Sequence, residues 1–146
     1  MNMNEPADIS AEIRALLESE SPPAHEFHRG RVVVFSFRRP LEGRQALWLR
    51  WRVGERVGLG ERHFLMDLRQ VQRVSGFGVE VALHAAALAR SHGGDLRLVA
   101  SQWAIWRSLG EIGSHPALRV FPSLEAGVVS FGRDGAGRRE RDDGVH

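Results

Sequence analysis

The chain has 146 residues, 42% of them hydrophobic and 26% charged, enough for one hydrophobic core and too ordered a composition for a disordered polymer. It contains no cysteine, which rules out disulfide scaffolds, thiol nucleophiles and cysteine-ligated zinc or iron–sulfur centres. All 20 basic residues are arginine and tyrosine is absent, so the isoelectric point near 10.7 reflects missing titratable groups; the net charge at pH 7 is only +2.

The opening MNMNEPADIS has no basic segment leading into an apolar one, and no apolar run reaches the length of a membrane span. A cytoplasmic protein without membrane insertion is therefore expected. Ile9, Ile13, Leu16 and Leu17 recur at helical spacing before Ser21, Pro22 and Pro23 break the pattern, so residues 1–23 read as a helical extension. His25 and His28 lie in what reads as a solvated loop with no third ligand at metal-binding spacing. The same stretch adds a strand only if AHEFH pairs.

Residues 31–37, RVVVFSF, are β-branched and aromatic and predict a strand. Residues 41–57 have a mixed period among arginines, and a helix is expected there because a βα unit needs one. HFLMDL, residues 63–68, is a nearly unbroken apolar run that suits a central strand covered on both faces. Residues 76–94 predict a helix stopped by Gly93 and Gly94, followed by a strand over 95–100. Ser101 is placed to cap a helix through Leu109 carrying Trp103 and Trp106. A short strand ends at Phe121, Pro122 and Ser123 launch a last helix, and residues 133–146 read as a disordered charged tail. The sum is an α/β domain over residues 24–132: a four- or five-stranded mixed sheet packed with about four helices.

No phosphate-cradling glycine motif is present, and no cofactor, metal or catalytic residue is expected. Ser75 precedes a helix and reads as an N-cap, at a place that also favours a negative charge or a phosphate. Asp67 ends a central strand but lacks an evident acid, nucleophile or metal beside it. Trp48 and Trp51, like Trp103 and Trp106, stand three apart and share a helix face, which suits a core or an interface between copies. The arginine-rich stretch 38–56 alternates with apolar residues and carries no element that reads nucleic acid, so no direct nucleic-acid binding is expected.

Three segments together resemble the STAS domain of anti-anti-sigma factors and related bacterial regulators. They are HFLMDLRQV, SGFGVEVALHAAALARSHGGDLRLVA and LRVFPSLEAGV, within a stretch from Phe27 to Phe131. The resemblance implies a STAS-like fold and a non-enzymatic module that binds a regulatory protein, such as an anti-sigma factor that is also a serine kinase. Asp67 matches the family's strand-end aspartate, Gly76 and Gly78 its two glycines, and Ser75 the hydroxyl before the first glycine. VQRVSGFG is about two residues shorter than the family pattern and lacks its second aspartate and one hydroxyl. Ser75 is thus the candidate phosphoacceptor, and Asp67, Ser75, Gly76, Phe77, Gly78 and Glu80 are the candidate partner-binding residues. The alternatives are a structural STAS subunit of a larger or homo-oligomeric assembly, of stress-signalling or lipid-transport type, and a small-ligand or enzymatic protein centred on Asp67 and Ser75.

Overall fold

The computed structural model describes residues 22–101 and 118–132. The expected helix over 4–20, the one bearing Trp103 and Trp106, and the tail over 133–146 lie outside the described residues. Five strands form one sheet: β1 (Ala24–Arg29), β2 (Val32–Phe37), β3 (His63–Asp67), β4 (Asp95–Val99) and β5 (Val120–Phe121). The helices are α1 (Gly43–Gly58), α2 (Gly76–Ser91) and α3 (residues 124–132).

The strands lie in chain order across the sheet, with β1 antiparallel to β2 and every later pair parallel. Each parallel pair needs a crossover, and α1 and α2 supply the first two. AHEFH, read as a loop, is a strand. Its alternation is hidden because β1 is an edge whose polar residues are used: Glu26 faces the arginines of α1, and His28 bonds Glu61 at 2.8 Å.

The period-2 pattern of the strands sorts the core into two layers. Val33, Phe35, Phe37, Phe64, Met66, Leu96 and Leu98 face α1 and α2, where Trp48 meets Phe35 and Phe37 edge-on at 5.8 and 6.3 Å. Val32, Val34, Leu65 and Val99 pack on the other face with Phe131 of α3. β3 is central, and four of its five residues are buried, as its unbroken apolar run requires.

α1 and α2 end in the same way. Gly60 and Gly93 take φ of 98° and 87° just past the helix, a region few side chains tolerate. Their N–H groups bond Val57 O and Arg90 O, and the next N–H groups bond Arg56 O and Ala89 O, closing paired C-terminal caps.

The mixed period of α1 has a physical cause. Arg52 and Arg56 lie half-buried against β1, donating to Glu26 with Arg52 Nε at 2.7 Å and Arg56 Nε at 2.6 Å. Burial pushes the Glu26 carboxyl up, but the two guanidiniums outweigh it and hold it below its ordinary range.

Candidate functional site

The candidate residues sit where β3 delivers the chain into α2. Leu68, Val71 and Val74 are all buried, so the connection is pinned to the core at three points instead of looping into solvent. Leu68 N donates to Val99 O at 2.8 Å, and Val71 N closes a tight turn on Leu68 O at 3.0 Å.

This connection is stitched to the one between β2 and α1. Leu41 and Val74 form a parallel bridge, Leu41 N donates to Arg73 O at 3.1 Å, and Ser75 N donates to Leu41 O at 3.2 Å. Arg73 and Glu42 add an exposed ion pair at 3.2 Å. The Ser75 hydroxyl caps α2: its Oγ accepts from Gly78 N at 3.0 Å and donates to Leu41 O at 3.3 Å. Gly78 is buried against the same carbonyl, and a Cβ there would lie 2.6 Å from Leu41 O. Its role is close approach between the two connections.

Asp67 is buried and already engaged. Arg69 grips it through Nε and Nη2, both at 2.9 Å, its own backbone N–H adds a bond at 3.1 Å, and the Ser36 hydroxyl donates at 3.4 Å. Burial raises the carboxyl's pKa, but Arg69 and Ser36 together hold it below the usual carboxylate range. The same pair raises Arg69, chiefly through its hydrogen bond to Asp67. Asp67 thus fixes the start of the connection. No hydrogen bond joins it to Ser75 among the described residues.

Ser75 is half-buried, Gly76 and Glu80 are exposed, and Phe77 leaves 46% of its surface in water at the start of α2. The structure therefore gathers Ser75, Gly76, Phe77 and Glu80 on one outward patch, while Gly78 and Asp67 support it from beneath. Sequence reasoning missed Leu41, Glu42, Ser36 and Arg69, which hold the patch in place; Leu41 stands 34 positions before Ser75. Trp48 is buried in the core and Trp51 partly so. Among the described residues no group of three or more His, Asp or Glu is placed to hold a metal, and no helix is long and apolar enough to cross a membrane.

A sequence profile of the STAS domain matches residues 27–127. The chain belongs to the STAS domain family. Solved structures agree on the fold. A candidate anti-sigma factor antagonist of Thermotoga maritima superposes with TM-score 0.67 at 16% identity, over 74% of this chain and 93% of that one. An anti-sigma factor antagonist of Mycobacterium paratuberculosis gives 0.65 at 18% identity, over 74% and 92%. SpoIIAA, an anti-sigma factor antagonist in its unphosphorylated form, gives 0.59 at 13% identity, over 75% and 97%. No curated protein sequence matches the chain.

The two lowered carboxyls of this STAS domain make its stability depend on acid. A carboxyl held below its unfolded value stabilises the fold above that value, and the contribution is lost as pH falls through the folded one. Stability is therefore expected to decline between about pH 5 and about pH 2. Asp67→Asn and Glu26→Gln should each make that decline shallower, as measured by urea unfolding at a series of pH values.

Proposed function

We propose that this STAS domain is a cytoplasmic, non-enzymatic regulatory module that works as an anti-anti-sigma factor, docking an anti-sigma factor or serine kinase through the start of α2. The observation that carries this reading is Phe77. A large aromatic side chain, 46% exposed, stands on a helix start that Ser75, Leu41 and three buried apolar residues hold rigid. An exposed aromatic on a pre-organised support is the usual form of a binding hot spot. Glu80 follows one turn later on the same outward stripe and supplies a charged neighbour.

Ser75 is the candidate phosphoacceptor within that patch. Phosphorylation would replace the hydroxyl's donor and place about two negative charges beside Phe77. The Leu41 carbonyl would lose its hydrogen bond from Oγ and face phosphate oxygens instead, so the modification would disturb the stitched connections as well as the docking face.

The test is titration of the anti-sigma factors and serine kinases encoded by the same genome against the purified chain. One of them is expected to bind, and Phe77→Ala is expected to weaken it about 30-fold while leaving thermal unfolding unchanged. Mass spectrometry after incubation with the binding kinase and ATP is expected to find phosphate on Ser75. Binding by none of them, or full affinity with Phe77→Ala, would sink the reading.

A further inference from the structure

α1 and α2 start side by side at the Leu41–Val74 bridge and run in the same direction across one face of the sheet. They touch along their length: Gly54 faces Leu88, 3.9 Å from where a Cβ would stand. Helical spacing gives each an outward stripe. On α1 it carries Leu47, 38% exposed, and Arg50; on α2 it carries Phe77 and Glu80. The connection leading into α1 adds Arg38 and Arg39, both exposed.

The charges on this surface are lopsided. Arg38, Arg39 and Arg50 have no carboxylate partner among the described residues. Glu42 is taken by Arg73, which leaves Glu80 as the exposed carboxylate of the α2 stripe. The first turn of α2 contains no acidic residue to offset the partial positive charge of a helix start. Two exposed apolar side chains thus lie within an unpaired cationic border.

We infer that the docking surface extends from α2 onto α1, and that it takes a protein partner whose own contact is an apolar strip flanked by aspartate or glutamate. Leu47 and Phe77 would bury against the strip, and Arg38, Arg39 and Arg50 would meet the acidic flanks. This rests on the docking reading above and adds to it the chemistry of the partner and a second helix.

The test uses the full chain, isotopically labelled, and a synthetic helical peptide with leucines along one face bordered by glutamates. The same peptide with lysines in place of the glutamates and a single-stranded oligonucleotide are the comparisons. The acidic peptide is expected to move the amide resonances of residues 38–50 and 76–84, and to lose affinity as salt rises from about 50 mM to about 300 mM. Arg38→Glu, Arg39→Glu and Arg50→Glu combined are expected to weaken it at least about tenfold. Arg29→Glu with Arg31→Glu, at the other end of the sheet, should leave it unchanged.

An equal loss from the Arg29 and Arg31 pair, equal binding of the lysine peptide, tighter binding of the oligonucleotide at the same residues, or no binding of the acidic peptide would each overturn the inference. Loss with Phe77→Ala but not with the three arginine reversals would overturn it too, and would leave the α2 docking reading standing. That reading falls separately, with the titration of anti-sigma factors.

Discussion

Gly94→Ala is expected to destabilise the protein by on the order of 3 kcal/mol, lowering the thermal midpoint by about 10 °C. Gly94 joins the cap of α2 to the start of β4, and its N–H closes that cap on Ala89 O at 2.8 Å. The next residue, Asp95, donates to Arg62 O at 3.0 Å, so the chain passes directly over the Arg62 backbone as β4 enters the sheet beside β3. A methyl group on Gly94 would fall on the Arg62 carbonyl oxygen and 2.8 Å from the Arg62 Cβ. The obstacle is mostly main chain, which no rotamer change removes. Either the first β3–β4 pairs open or the cap of α2 does. Scanning calorimetry reads the shift directly, and Gly58→Ala, where a Cβ would meet nothing within 4 Å, is the matched control.

Arg97→Met is expected to cost a comparable amount, again on the order of 3 kcal/mol. Arg97 is buried on the α3 face of the sheet, 6% exposed, and every part of its head group is used. Its Nε meets Asp95 at 2.8 Å, its Nη1 donates to the Ser130 hydroxyl at 2.8 Å, and the guanidinium lies 4.2 Å from the centre of the Phe131 ring. Methionine would keep much of the volume and remove the charge. Asp95 would then rely on Arg90 at 2.7 Å and on the Leu96 N–H, and α3 would lose its polar anchor to the sheet. Urea unfolding measures the loss. Arg97→Met combined with Asp95→Asn should cost less than the two single changes added together, because the penalty comes from stranding a buried carboxylate.

Much of the architecture was legible because burial leaves a periodic trace. The run HFLMDL becomes the central strand β3, and the helix over 76–94 becomes α2, ending at Ser91 with Gly93 as its stop. The short strand ending at Phe121 is present, reduced to Val120 and Phe121. Where the reading was weak, charged residues were inside. Arg52 and Arg56 blur the period of α1 because Glu26 compensates them, and the same contact disguises β1 as a loop. Arg97 in a strand would ordinarily be taken as solvent-facing, and nothing local announces Ser130 or Phe131 as its partners.

The candidate site divides along the same line. Ser75 as the cap of α2 follows from local chemistry and is present, with its Oγ on Gly78 N. Its second tie, to Leu41 O, arises from the way two crossovers start side by side, which no single segment encodes. Asp67 stood out as a lone carboxylate. Arg69, two residues on, answers it, an arrangement that spacing alone does not disclose because both residues lie at a turn.

The ion pairs that tie this fold together share one property: apart from His28–Glu61, each opposes a carboxylate to a guanidinium. A guanidinium keeps its proton to beyond about pH 12, and the chain has no ammonium side chain, phenol or thiol that would ionise before it. Alkaline media therefore find nothing among the side chains to discharge, and the clasps at Glu26, Asp67 and Asp95 stay shut through conditions that would loosen a lysine-built homologue.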